Sequence, residues 1–136
     1  MAGLVLDASV AVAAVLAEAN TERARAILLH VAKVGAVVPG LWHLEVGQTL
    51  LVAERQGRLI AAERETAQNL LLALPVAVDA DTWARAMRDT ITLASEQRLS
   101  LYDAAYLELS RRSEVPLATF DANLRRAATA IGIGLL

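Results

Sequence analysis

Four of the chain's 15 acidic residues stand out by their surroundings. Asp7 ends the apolar run Leu4-Val5-Leu6 and opens an alanine-rich stretch. Glu45 interrupts the more apolar face of a helical segment, among Leu41, Trp42, Gln48, Thr49 and Val52. Asp103 follows Ser100-Leu101-Tyr102 and precedes two alanines. Asp121 follows Leu117-Ala118-Thr119-Phe120. Each has an ordinary structural role open to it. Asp7 and Asp121 suit helix N-caps, worth about 1 kcal/mol each. Asp103 suits a capping box with Ser100, and Glu45 an ion pair with an arginine. Gathered together they would do something else. Carboxylates about 4 Å apart repel by roughly 4 kcal/mol at an effective dielectric near 20. Such a cluster persists when a divalent cation neutralises it or when some members are protonated. Oxygen-only donors without cysteine suit Mg²⁺ or Mn²⁺, and the matching chemistry is phosphoryl transfer with a metal-activated water.

The elements that carry these acids decide whether they meet. Residues 3–6 read as a strand and 8–17 as a helix, with Asp7 or Ser9 as its cap. Thr21 to Lys33 is a helix with Ala24, Ile27, Leu28 and Val31 on one face. Residues 36–38 form a strand ended by Pro39. Helices follow over 41–56, stopped at Gly57, and over 61–73. Residues 76–78 are a strand running into Asp79, and Asp81 caps a helix through Ala94. A helix over 101–112, a strand over 116–119, a helix from Asp121 to about Ala130 and a last strand over 131–136 complete the chain. Short apolar strands alternating with helices predict an α/β fold with a parallel sheet covered on both faces. Right-handed crossovers put every strand's carboxyl end on one side. All four acids then share one sheet edge, where open α/β sheets bind ligands.

Composition sets the bounds. A length of 136 residues suits one domain. Hydrophobic content of 56% against 4% aromatic predicts an aliphatic core, and 21% charged residues argue against disorder. A net charge of −2 excludes a generally basic nucleic-acid coat. The absence of cysteine excludes thiolate metal sites and cysteine nucleophiles and fits a reducing compartment. No apolar run approaches the roughly 18 residues of a membrane span. A cytoplasmic protein with no membrane association is the expectation.

Four stretches carry a resemblance to a known family: Leu4-Val5-Leu6-Asp7-Ala8-Ser9, Pro39-Gly40-Leu41-Trp42-His43-Leu44-Glu45-Val46, Leu101-Tyr102-Asp103-Ala104-Ala105-Tyr106-Leu107-Glu108-Leu109 and Ala118-Thr119-Phe120-Asp121. In order, spacing and length the chain resembles a PIN domain, specifically the ribonuclease toxin of a VapBC toxin–antitoxin pair, over residues 1–136. The resemblance implies a three-layer α/β/α sandwich around a short parallel sheet. It implies a Mg²⁺- or Mn²⁺-dependent endoribonuclease that leaves a 5′-phosphate and a 3′-hydroxyl. Asp7 and Asp103 would be direct metal ligands. Glu45 would bind through water or position the nucleophile, and Asp121 would complete the site or hold a second metal. Ser9 and Thr119 match polar positions beside the acids, and Asn123 is a further candidate ligand. Gln48 departs from the pattern, since relatives often carry Asn three residues after the glutamate. RNA substrate, an antitoxin and a homodimer are the implied partners.

Other residues are weaker candidates. Arg111-Arg112 and Arg125-Arg126 are possible phosphate contacts, or solvated helix faces. Trp42 and Tyr102 precede acids and are placed to stack on bases or to pack. The run Leu70-Leu71-Leu72 exceeds what one helix face buries and suggests a protein interface. The two histidines, His30 and His43, form no evident pair for metal-free ribonuclease chemistry. Against the nuclease stands a non-catalytic or antitoxin-independent RNA-binding or processing module on the same fold, with the acids as caps. Dehalogenase-like, receiver and P-loop readings fail on specific residues: Ser9 in place of a second Asp, the single lysine Lys33 lying too early, and no Gly-rich turn after strand one.

Overall fold

Four very short strands hold the molecule together. In the computed structural model, which describes residues 2–136, β1 (Leu4–Leu6), β2 (Ala36–Val38), β3 (Val76–Val78) and β4 (Leu117–Ala118) form one parallel sheet in the order β3-β2-β1-β4. The register pairs Leu4 with Ala36, Val5 with Leu117 and Val38 with Val78. β1 lies in the interior of the sheet and all three of its residues are fully buried. That explains its unbroken Leu-Val-Leu, since a strand covered on both faces has no polar face to show. β3 forms one edge and is largely exposed.

Helices flank the sheet in two groups. α1 (Ala8–Val15) packs on α2 (Thr21–Val34) and α3 (Trp42–Arg55), and α3 packs on α4 (Ala61–Leu72). α1 is buried along Val10–Ala14, so it needs no polar face. α2 buries the expected face of Ala24, Ile27, Leu28 and Val31. In the second group α7 (Leu101–Ser113) lies on β1 and β4 and packs on α8 (Ala122–Ala130). The α/β architecture thus agrees with the sequence expectation. No helix among the described residues is long and apolar enough to cross a membrane.

Two elements differ from expectation. The helix expected through Ala94 is α5 (Thr82–Arg85), a π-helical turn (Ala86–Thr90) and α6 (Ile91–Gln97). Arg88, at φ −122° and ψ −110°, lies outside helical geometry and breaks the continuity. The strand expected over 131–136 shrinks to a single parallel bridge between Leu117 and Leu135. Gly132, at φ +79°, still belongs to the turn that ends α8. Only the last residues reach β4, where the Leu136 amide donates to the Leu117 carbonyl at 3.1 Å.

Candidate active site

The parallel ladder delivers the first acid directly. The Asp7 amide donates to the Ala118 carbonyl at 2.9 Å, so the residues following β1 and β4 leave the sheet side by side. Asp7 is 6% exposed. It occupies the N-cap position of α1, yet its carboxylate makes no capping hydrogen bond. Instead Oδ2 accepts the Ser9 hydroxyl at 2.5 Å and the Thr119 hydroxyl at 2.7 Å. The same hydroxyls accept the amides of Phe120, at 3.2 Å, and Asp121, at 3.0 Å. Ser9 and Thr119 thereby bridge Asp7 to the loop that carries Asp121.

Asp121 does cap α8, accepting the Leu124 amide on Oδ1 at 2.8 Å. Asp103 sits in the first turn of α7. Its amide donates to Ser100 Oγ at 3.1 Å, half of the expected capping box. Glu45, in the first turn of α3, accepts the Tyr106 hydroxyl on Oε1 at 2.6 Å. Tyr106 is fully buried on α7, three residues after Asp103. It is the residue that sequence reasoning missed. The available signal was its helical spacing from Asp103, which places both on one side of α7.

The electrostatics tie the four acids to one another. Burial pushes the Asp7 carboxyl above its usual range; the Ser9 and Thr119 hydroxyls oppose the rise and the Asp121 charge adds to it. Burial also raises Glu45. The Tyr106 hydrogen bond opposes that rise, and the charges of Asp7 and Asp103 add to it. Asp103 is raised by burial, then by the charges of Asp121 and Asp7. Among the described residues none of the four takes part in an ion pair. The arginine partner considered for Glu45 is therefore absent.

A donor set made only of carboxylate oxygens, mutually repelling and without a balancing side-chain cation, fits a hard divalent ion such as Mg²⁺ or Mn²⁺. The four are coupled along one edge without being closed into a coordination shell. Among the described residues no group of three or more His, Cys, Asp or Glu side chains is arranged to hold a metal ion.

The remaining candidates separate clearly. Asn123 and Gln48 are exposed, and among the described residues no hydrogen bond ties either to the acids. Trp42 is 2% exposed, with its indole N–H buried without a partner and its ring edge-on to His43. It packs and has no face for a base. Arg112 binds Asp79 with two hydrogen bonds, at 3.1 and 2.7 Å, and reaches Glu108 at 2.8 Å. Arg125 donates to the carbonyls of Thr119 and Leu136, and Arg126 to that of Gln97. These three arginines hold the fold together. Arg111 is exposed at the far end of α7 from Asp103.

Comparison with known proteins agrees with this arrangement. The model of the PIN domain matches residues 4–130. The crystal structure of PAE2754 from Pyrobaculum aerophilum superposes with a TM-score of 0.71 at 23% identity, covering 93% of this chain and 86% of that one, which shows a shared fold. No curated protein matches the sequence. PIN domains are in general nuclease folds. With the family model spanning nearly the whole chain and the acids set along the carboxyl edge of its sheet, this chain belongs to the PIN domain family.

Proposed function

We propose that the protein is a Mg²⁺- or Mn²⁺-dependent endoribonuclease that hydrolyses RNA phosphodiesters, and that it serves as the toxin of a toxin–antitoxin pair. One observation carries the catalytic half. Four acids share one sheet edge with no cationic side chain paired to any of them among the described residues, and burial and mutual charge raise three of the four. Structural acids are normally paired or solvated, and perturbed ones gather at functional sites.

Asp7, Asp103, Asp121 and Glu45 would hold the cation. When bound, it offsets their charge and supplies the Lewis acidity that phosphodiester hydrolysis requires. Ser9 and Thr119 fix the Asp7 carboxylate through Oδ2, which receives both of their hydroxyls. Tyr106 fixes Glu45 through Oε1. Burial first, and then the Glu45 carboxylate, hold the Tyr106 hydroxyl protonated well above its ordinary range, so it remains a donor at any working pH. α7 and α8 both begin at this edge, and their positive ends favour a substrate phosphate.

The toxin role rests on the family resemblance and on apolar surface left uncovered. Leu70 and Leu72 stay exposed on α4 while Leu71 is buried, beside an open apolar groove of about 840 Å³ between α2 and α4. An antitoxin would cover such surface, and a homodimer belongs to the same reading.

The test is cleavage of structured RNA substrates by the purified protein. Mg²⁺ or Mn²⁺ should support it, EDTA should abolish it, and Asp103→Asn should lower it about a thousandfold. Activity that persists in Asp103→Asn, or that ignores EDTA, would overturn the assignment. Failure of Mn²⁺ to raise the melting temperature would point to the non-catalytic module.

A further inference from the structure

The carboxyl edge of the sheet, on its β3 side, carries an aromatic side chain that neither the core nor the acids use. Trp83, at the start of α5, is 72% exposed. Its indole is nonetheless held. Thr82 Oγ1 accepts the Gly40 amide at 2.9 Å. A Cβ on Gly40 would stand 3.1 Å from Trp83 Nε1, so the ring edge lies against bare backbone. Gly40 belongs to the loop that leads from β2 into α3 and Glu45. The Asp79 amide donates to the Val38 carbonyl at 2.8 Å, so this segment follows β3 at the same carboxyl edge as Asp7. Two strand spacings, about 10 Å, separate the ends of β3 and β1. Tyr102, the residue before Asp103, is exposed as well, at 66%.

The charge balance gives this aromatic a task. The chain is net negative and the site itself is acidic, so phosphate neutralisation offers an incoming strand little at the centre. Arg112 and Arg85 are engaged with carboxylates, and Arg125 and Arg126 with backbone carbonyls, which leaves the exposed Arg88, five residues after Trp83, as a cation without a side-chain partner among the described residues. Base stacking does not depend on charge and tolerates any sequence.

We propose that Trp83 is a base-stacking platform, on whose exposed face a nucleobase of a single-stranded RNA segment near the cleaved linkage stacks, with Tyr102 as a second platform beside Asp103. This inference rests on the ribonuclease reading for its substrate class. Met87 and Ile91, also exposed, follow Trp83 at four-residue steps across the break at Arg88, so the test separates stacking from a protein interface.

The probe is a mixed-sequence single-stranded RNA oligonucleotide, bound with Ca²⁺ in place of Mg²⁺. Trp42 is buried, so acrylamide quenching reports Trp83. RNA should quench Trp83 and shield it from acrylamide. Trp83→Leu should raise the Kd about tenfold and Trp83→Phe only about threefold. With Mg²⁺, Trp83→Leu should raise KM and leave kcat nearly unchanged. Wild-type RNA affinity in Trp83→Leu, or no RNA binding by the wild type, overturns the platform. So does sedimentation showing that Trp83→Leu dissociates an oligomer and that Met87→Ala copies the RNA defect. RNA binding that shields Trp83 without any cleavage keeps the platform and removes the nuclease. Cleavage that Trp83→Leu leaves unchanged does the reverse.

Discussion

Asp7 and Asp79 begin as equivalents. Each follows a three-residue parallel strand and leaves the sheet at its carboxyl edge. Their environments then diverge. Asp79 receives both arms of the Arg112 guanidinium and the Thr82 hydroxyl, and Arg112 also binds the buried Glu108. Burial is the largest single influence and pushes Asp79 up, but the Arg112 hydrogen bonds and charge, the Asp81 amide and the Thr82 hydroxyl together outweigh it and hold Asp79 below the usual carboxylate range. Asp7 receives only neutral hydroxyls and faces other acids, and it is shifted upward. One acid is a completed structural joint. The other is a charge whose partner the protein does not itself provide. The difference separates a carboxylate that an arginine ties into the fold from one without a cationic partner among the described residues, as the proposed metal site requires.

The largest way to break this contrast is to remove the joint's cation. Arg112→Met leaves Asp79 and Glu108 without their main partner and should destabilise the protein by about 3 kcal/mol. Thermal unfolding should shift down by about 10 °C, while the metal requirement for cleavage is unchanged. A variant with a wild-type melting temperature would show that the joint is dispensable.

Loosening the open site should do the opposite. Tyr106→Phe removes the hydroxyl that orients Glu45 and should lower cleavage about tenfold, as loss of an outer support typically does. Like Arg112→Met, it should leave the metal-dependent gain in melting temperature in place. Full activity in Tyr106→Phe would remove Tyr106 from the machinery.

The smallest effect is on pH dependence, and its sign differs between the two acids. Asp7, Glu45 and Asp103 have raised folded-state pKa values, so in the metal-free protein the native state holds protons that the unfolded chain releases. Stability from these groups falls as pH climbs from the ordinary carboxylate range through their raised values. Asp79 is shifted down. Its contribution is present above the ordinary range and is lost as pH falls through its lowered value. Melting curves from about pH 4 to about pH 8 should show Asp7→Asn with a flatter decline toward neutral pH and a higher melting temperature than wild type near neutrality. A lower melting temperature there would mean that Asp7 is a structural acid after all.

How much of this was legible in the sequence follows from the range of each interaction. The strand-to-acid junctions at Asp7 and Asp121 showed in the local pattern, because an apolar run and the residue that ends it are neighbours. So did the Ser100 cap and the buried face of α2. The contrast between Asp7 and Asp79 was not legible. Leu4-Val5-Leu6-Asp7 and Val76-Ala77-Val78-Asp79 have the same pattern, and what separates them is Arg112, 33 positions beyond Asp79. Tyr106 was hidden for the same reason, since its partner Glu45 lies 61 residues away. Trp42 was expected at least equally as packing, and packing is what it does. The final segment misled because alternating Ile131-Gly132-Ile133-Gly134-Leu135 mimics a strand, while the backbone at Gly132 still belongs to a turn.

The hydrogen bond from Thr119 to Asp7 spans 112 positions of chain. During synthesis at about ten residues per second, Asp7 therefore waits on the order of ten seconds for the hydroxyl that orients it. Until β4 arrives, β1 presents an unpaired edge and the first acid lacks both Thr119 and its neighbour Asp121. The centre of the sheet and the centre of the site are thus completed by the same late event. A nascent or truncated chain that stops before β4 lacks one partner of β1 and the Thr119 hydroxyl on Asp7 together.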